Sequence, residues 1–167
     1  EKAEAFRVLH AAPGSFVIAN AWDAGSAKLL AGLGFPALAT SSGAQAGVLG
    51  RVDGAVTREE ALAHAKAIVD ATDLPVSADL ENCFADRPED AAHTIVLAAG
   101  IGLAGASIED ATGDASKPLY DADFAAERVA AAVAAARSVG FPFVLTARTE
   151  SFLRGNTDLG DVIRRLQ

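Results

Sequence analysis

Three acidic residues that could share one cation stand where two apolar segments of the chain end. Asp79 lies near the end of the segment Pro75 to Leu80, and Glu81 follows that segment directly. Glu109 is the last residue of the segment Ala104 to Glu109. Carboxylates held close together either raise one another's pKa or require a cation. Because the group contains no His or Cys, its oxygen ligands suit Mg²⁺ or Mn²⁺ rather than zinc. For each acid taken alone, a solvated loop carboxylate is the alternative.

The order Asp79-Leu80-Glu81 carries a geometric prediction of its own. Successive side chains of an extended strand point to opposite faces, so both acids would face one side while Leu80 faces the helices. Polar groups placed at the end of an apolar strand are costly to bury without a use. We therefore expect the two carboxylates to belong to one polar site.

Arg148 supplies the opposite charge, at the end of the apolar run Pro142 to Ala147. Its guanidinium could hold a substrate carboxylate through two parallel hydrogen bonds. Pairing with Glu150 or with one of the metal-site acids, in a purely structural role, is the alternative. The small residues Ser42, Gly43 and Ala44 would let backbone N–H groups approach an anionic oxygen, although small residues also form ordinary loops.

The segments that must position these residues alternate between two patterns. Short apolar and β-branched runs predict buried strands, and the stretches between them have helical spacing and start signals, such as the capping box of Thr57 and Glu60. Gly-Phe-Pro precedes a predicted strand twice, at Gly34 and at Gly140. The predicted strands are 16–20, 36–40, 75–80, 104–109 and 142–147, and the predicted helices are 23–33, 57–72, 88–99 and 121–139.

This alternation predicts an α/β fold with a parallel sheet covered by helices. Neither a Gly-x-Gly-x-x-Gly turn nor a phosphate-binding loop follows a strand, so an open nucleotide-binding sheet loses its usual signature. A (β/α)₈ TIM barrel is the better prediction. All strand ends meet at the carboxyl face of such a barrel, where its active sites lie.

Composition limits the partners and the setting. The chain has 167 residues, of which 51% are hydrophobic and 22% are charged. These fractions indicate a packed core rather than disorder. A formal charge of −8 disfavours nucleic acid as a partner. The single cysteine, Cys83, cannot form an internal disulfide, and neither a signal peptide nor a bilayer-spanning run is recognisable. We expect a cytoplasmic protein without a membrane role.

The ends of the sequence suggest a domain that is not complete. Glu1 stands where a Met would open a gene product, and Gln167 cuts across a helix predicted from Asp158. We expect residues 1–167 to form a single (β/α)₈-barrel domain of which about the first five β/α units are present.

The strand-end motifs, taken in order, resemble the isocitrate lyase and phosphoenolpyruvate mutase family. Any one piece, such as Ile108-Glu109-Asp110, is weakly specific, whereas the ordered series covers nearly the whole chain. The motifs are Asn20-Ala21-Trp22-Asp23, Thr40-Ser41-Ser42-Gly43-Ala44, Leu49-Gly50 with Asp53 and Thr57-Arg58-Glu59-Glu60, Ala78-Asp79-Leu80-Glu81-Asn82, Ser107-Ile108-Glu109-Asp110 and Ala147-Arg148-Thr149-Glu150.

The resemblance implies an enzyme that cleaves or forms a C–C or P–C bond next to a 2-oxo or 2-hydroxy acid, through an enolate. It implies Mg²⁺ or Mn²⁺ as cofactor and a homotetrameric assembly. By the same resemblance, catalysis involves Asp53 and Arg148, the metal is held by Asp79, Glu81 and Glu109 directly or through water, and the substrate is bound by Ser42, Gly43, Ala44, Arg148 and Glu150.

Three departures from the family narrow the expected activity. The Cys-Gly-His segment of the lyase branch is absent, and the mutase branch's Lys and Asn after Glu-Asp are matched only by a displaced Lys117. Cys83 stands where the family often has Gly, and we expect it to pack rather than react. Oxaloacetate decarboxylation or cleavage of a related diacid is the resulting hypothesis.

Other functions stay open at this stage. They are a phosphoenolpyruvate or carboxyphosphonate mutase, a phosphonopyruvate hydrolase, an unrelated Mg²⁺-dependent barrel aldolase, and a catalytically silent barrel that binds a carboxylate. Retention of the acidic trio together with Arg148 argues against the silent barrel, because a scaffold has no use for clustered like charges.

Overall fold

The computed structural model describes residues 1–167 and has strands and helices in alternation. The strands are β1 (Ile18–Asn20), β2 (Ala37–Ala39), β3 (Val76–Ala78), β4 (Gly105–Glu109) and β5 (Val144–Arg148). The helices are α1 (Lys2–Ala11), α2 (Ala24–Gly32), α3 (Ser42–Val48), α4 (Arg58–Ala71), α5 (Pro88–Gly100), α6 (Ala122–Ser138) and α7 (Leu159–Leu166). Every strand and helix predicted from sequence is present, with shorter strands than expected.

All strands are parallel and lie in the sheet in chain order, β1-β2-β3-β4-β5. A doubly wound sheet reverses its direction at a switch point, which this sheet does not do. An order that always advances the same way is that of a β/α barrel. The carboxyl ends of all strands consequently lie on one side, and the pairing of β4 with β5 sets Glu109 beside Arg148.

Local capping explains where the helices begin and end. The predicted capping box of α4 is formed. Thr57 Oγ1 accepts from the Glu60 N–H at 3.3 Å, and Glu60 Oε2 accepts from the Thr57 N–H at 2.9 Å. Gly34 and Gly140, which open the two Gly-Phe-Pro segments, have φ of 87° and 81°. This left-handed conformation ends the preceding helix and turns the chain toward the next strand.

The core lies between the sheet and the helices that cover it. Leu38, Ile68, Ile95 and Ile108 are among its fully buried side chains. Helix α1, which the sequence pattern did not predict, packs Phe6 against Ala37 and Ala104 at the amino ends of the strands. A Cβ at Gly105 would lie 2.9 Å from the Phe6 ring and 2.5 Å from the Val144 carbonyl oxygen, so this close packing requires glycine.

Two local predictions are wrong. β3 ends at Ala78, so Asp79 and Glu81 lie beyond it and strand alternation does not reach them. The segment Ser42 to Ala44 forms the first turn of α3 instead of an open turn. The Ser41 side chain caps this turn, because it accepts from the Ala44 N–H at 3.3 Å.

None of the helices has the length and apolar character needed to cross a membrane.

The sheet has two strand edges without a neighbour, β1 and β5, which predicts the behaviour of this polypeptide by itself. Unpaired N–H and C=O groups at an edge recruit further strands. We expect residues 1–167 expressed alone to self-associate or remain partly folded, as measured by sedimentation velocity and near-ultraviolet circular dichroism. A monomer with one cooperative thermal unfolding transition would contradict this expectation.

Candidate active site

A polar cleft of about 1180 Å³ opens at the carboxyl ends of the strands. Every residue predicted for the site lines it except Ala44, which lies within α3. The lining site residues are Ser42, Gly43, Asp53, Asp79, Glu81, Glu109, Arg148 and Glu150. The parallel sheet therefore brings together side chains that lie far apart in the chain, from Ser42 to Glu150.

Asp79 is the most completely hydrogen-bonded acid facing the cleft. Its Oδ2 accepts from the Ser42 N–H at 3.1 Å and from the Ser42 hydroxyl at 3.0 Å, and its Oδ1 accepts from Ser107 Oγ at 3.4 Å. The Thr40 hydroxyl accepts from the Asp79 N–H at 3.0 Å. Ser42 of α3 and Ser107 of β4 thus orient this carboxylate, while Thr40, directly after β2, holds the Asp79 backbone.

The same contacts change the interpretation of the small residues after β2. Ser42 had been expected to offer its N–H to a substrate, but both of its donors are used by Asp79. Ala44 donates its N–H to the cap residue Ser41. Gly43 faces the carboxylate of Asp53, since a Cβ there would lie 3.6 Å from Oδ2. Ser42 therefore orients one acid, and Gly43 lies beside another.

Arg148 lies among three acids. Its guanidinium is 2.6 Å from Glu150 Oε1, 3.6 Å from Asp79 Oδ1 and 4.0 Å from Glu109 Oε2. The pairing with Glu150 that sequence analysis had left open is present, and Arg148 bridges acids from three strand ends. The Arg148 side chain is 40% exposed, so part of its guanidinium still faces the cleft.

Glu81 reaches the cleft by a route other than strand alternation. It adopts φ of 51°, in the left-handed region, while Leu80 before it is fully buried in the core. The carboxylate turns toward Asp53, which lies on the exposed loop between α3 and α4. Asp79 and Glu81 therefore line the same cleft, as expected. The loop conformation, rather than the pleat of a strand, places Glu81 there.

Burial and like charges strain two of these carboxylates. Burial, followed by the negative charges of Asp53 and Asp79, raises the pKa of Glu81 to about 7. Burial, followed by the charge of Glu150, raises the pKa of Glu109 to about 7, although Arg148 opposes the rise. Ionising both at neutral pH is therefore unfavourable, and a second cation would relieve the repulsion.

No group of three or more His, Cys, Asp or Glu side chains in the structure is arranged to hold a metal ion directly. Asp79, Glu81 and Glu109 line one cleft, but they do not form a closed cage. The oxygen-only donor set nonetheless fits Mg²⁺, which takes one or two carboxylates and keeps several of its waters. The residues are compatible with a largely water-ligated cation and not with direct ligation by the whole trio.

Asp110 is a structural partner of the site that sequence analysis did not assign. It is 5% exposed, and its carboxylate accepts from the Glu150 N–H and from the Thr149 hydroxyl, each at 2.8 Å. Arg165 of α7 also donates to it, at 3.1 Å. Its place after Glu109 in a strand-end motif was the available signal. Asp110 fixes the backbone that presents Arg148 and Glu150.

Comparisons with known proteins identify the family of this chain. Residues 6–167 match the family model described as phosphoenolpyruvate phosphomutase. A comparison with curated proteins finds no match.

Solved structures give the fold and the class. A Burkholderia cenocepacia J2315 protein named only by class, as a lyase/mutase, is 55% identical, with a TM-score of 0.96 over 99% of this chain and 59% of its own. A protein named as a phosphonomutase from the same organism is 41% identical, with a TM-score of 0.87 over 99% of this chain and 66% of its own. A 2,3-dimethylmalate lyase, of the PEP mutase/isocitrate lyase superfamily, is 30% identical, with a TM-score of 0.88 over 99% and 58%.

This chain therefore spans between 58% and 66% of the length of these solved chains and forms part of a TIM-like barrel. The fold and the resemblance predicted from the strand-end motifs are both confirmed. The chain belongs to the phosphoenolpyruvate phosphomutase family, within the PEP mutase/isocitrate lyase superfamily.

Proposed function

We propose that this chain is part of a Mg²⁺- or Mn²⁺-dependent lyase that cleaves a C–C bond of a small 2-oxo diacid, such as the C3–C4 bond of oxaloacetate, through an enolate of the 2-oxo group. The observation that carries the proposal is the meeting of Asp79, Glu81 and Glu109 with Arg148 in one cleft. The 2,3-dimethylmalate lyase relative is named for a 2-hydroxy diacid, which is substrate chemistry of the same kind.

The cation would be held by Asp79, Glu81 and Glu109, mostly through water. When bound, it would stabilise the negative charge that develops on the 2-oxo oxygen of the substrate. The protein's own part is to hold Asp79 rigidly through Ser42 and Ser107, so that the position of the charge is set before substrate arrives.

Arg148 would bind the carboxylate next to the 2-oxo group. Glu150 holds Nη2 of its guanidinium at 2.6 Å, and with 40% of the Arg148 side chain exposed, part of the guanidinium remains accessible from the cleft. In oxaloacetate the bond from C3 to the distal carboxylate would break, its electron pair would move toward the 2-oxo group, and CO₂ would leave. A proton returned to C3 then gives pyruvate. Asp53, exposed at the cleft and without a cationic partner, is the group we assign to proton exchange with the substrate.

A phosphomutase is the second candidate, favoured by the name of the family model and by the 41% identity to a protein named as a phosphonomutase. The two activities differ in the bond that breaks, C–C or P–C. Incubation with phosphonopyruvate, followed by ³¹P NMR, separates them, because only the mutase or the related hydrolase moves phosphorus. The homotetramer implied by the resemblance and the cytoplasmic location expected from the composition stay predictions.

Removal of one metal-site carboxylate tests the proposed reaction. In the intact protein, Asp79→Asn should lower Mg²⁺-dependent pyruvate release from oxaloacetate by about 100-fold or more, because it removes a carboxylate assigned to the cation that would stabilise the developing charge on the 2-oxo oxygen. Asp70→Asn is the matched control, since Asp70 lies exposed on α4 and pairs with Lys66. Rates are compared with the background of Mg²⁺ alone. An active Asp79→Asn protein, or wild-type release no faster than background, would contradict the proposal.

The raised pKa values of Glu81 and Glu109 predict a pH-dependent stability. Their pKa is about 7 in the folded chain and near 4.5 when exposed, so the folded state binds more protons between these values. The free energy of unfolding therefore falls as pH rises from about 4.5 to 7. Asp161, whose pKa is lowered to about 2, acts only below this interval.

The measurement is the thermal midpoint of the intact protein from about pH 5 to about pH 8 in a chelating buffer. Glu109→Gln should flatten the decline because it removes one of the two groups, and added Mg²⁺ should raise the midpoint more at the alkaline end of this range than at the acidic end. A midpoint that is constant or rises with pH would show that the two carboxyls are not held as described.

The position of Arg154 in the cleft predicts that the site prefers substrates with a second carboxylate, which Arg154 would bind. It lines the cleft without an ion pair, whereas Arg58, which also lines it, pairs with Glu59 at 2.9 Å. Arg154→Gln should raise the KM for oxaloacetate about tenfold, the usual effect of losing one charged hydrogen bond. Inhibition by pyruvate, which has one carboxylate, should not change. Arg58→Gln is the control, and equal effects on both ligands would rule out this role.

A further inference from the structure

Arg128 of α6 is a buried cation that the proposed reaction does not use. It is 1% exposed and has no carboxylate partner. Its guanidinium instead donates to four backbone carbonyl oxygens. These belong to Asn82, Ala85 at 2.7 Å, Asp86 at 3.0 Å and Glu109 at 3.2 Å. One side chain therefore joins the loop after β3 to the end of β4.

The loop that Arg128 holds has a strained backbone. Glu81, Cys83 and Phe84 have φ of 51°, 60° and 55°, and none of them is glycine. Non-glycine residues in this region are destabilising unless the surrounding structure compensates. The carbonyl contacts from Arg128 lie immediately after Glu81 along the chain, so they support the conformation that turns this acid into the cleft.

Burying Arg128 costs desolvation free energy that packing alone would not offset. A buried cation without an acid loses its hydration, and only its hydrogen bonds offset that loss. α6 is otherwise rich in alanine, and an apolar side chain at this position would leave the four carbonyl oxygens without these donors. The ring of Tyr120, whose centroid is 4.2 Å from the guanidinium carbon, supplies one further favourable contact.

We propose that Arg128 is a positioning residue that sets the relative placement of Glu81 and Glu109, and through them the affinity of the site for its cation. This inference rests on the proposed metal site. Arg128 acts through its planar guanidinium, whose donors are fixed in a fork. Lysine keeps the charge but cannot reproduce that fork.

The experiment compares Arg128→Lys with wild type in the intact protein. Mn²⁺ is the probe, and free Mn²⁺ is measured by electron paramagnetic resonance during a titration. We expect Mn²⁺ to bind about 10- to 100-fold more weakly, as is usual when a residue that orients metal ligands is lost. Hydrogen exchange in residues 81–86 should also become faster. Arg137→Lys is the matched control, because Arg137 lies exposed on the same helix.

A merely structural role predicts a different result, namely a lower thermal midpoint with unchanged Mn²⁺ affinity and unchanged exchange in residues 81–86, and that result would overturn the inference. If wild type binds no Mn²⁺, the proposed metal site fails and with it the link to cation affinity, while the exchange rates still decide whether Arg128 orders the loop.

A milder variant covers the case in which Arg128→Lys does not fold. Tyr120→Phe keeps the ring under the guanidinium but removes the hydrogen bond from Tyr120 to Asp86 Oδ1, 2.5 Å long, and the one from Asn82 at 3.3 Å. It should weaken Mn²⁺ binding and speed exchange in the same loop to a smaller extent. Wild-type values for both would overturn the inference.

Discussion

The structure depends on how repulsion among carboxylates is contained at one end of a parallel sheet. Parallel pairing places the carboxyl ends of all strands on one side, so acids that are far apart in the chain become neighbours. Arg148 is the permanent cation that contacts three of them, and burial leaves Glu81 and Glu109 poorly solvated. A site with this much unrelieved negative charge is matched to a ligand that brings positive charge.

Serine hydroxyls and a buried carboxylate keep the acids of the cleft in place. The Ser42 and Ser107 hydroxyls donate to Asp79. The buried Asp110 accepts a hydrogen bond from the backbone N–H of Glu150. Such partners cost little to desolvate because their hydrogen bonds are satisfied, and no buried side-chain polar atom lacks a partner. The cleft is therefore organised before any ligand binds, which is the condition under which fixed charges are effective.

Prediction from sequence succeeded where the determining forces are local or periodic. The strands, the capping box at Thr57 and the glycine that ends α2 follow from residue types within a few positions. The left-handed Glu81 could not be predicted, because its conformation depends on contacts with distant residues. Arg128 was missed for the same reason, since an arginine in an alanine-rich helix normally faces water. The strand-end acids themselves were found because charge after an apolar run is locally conspicuous.

The glycine-free loop after β3 also has a consequence for the order of folding. Its left-handed residues have no intrinsic preference for the native conformation, and the side chain that holds them comes from α6, much later in the chain. The loop can therefore reach its final form only after α6 has packed onto the sheet. During synthesis, Glu81 leaves the ribosome before α6, so we expect the site to assemble late and the helices around it to form early.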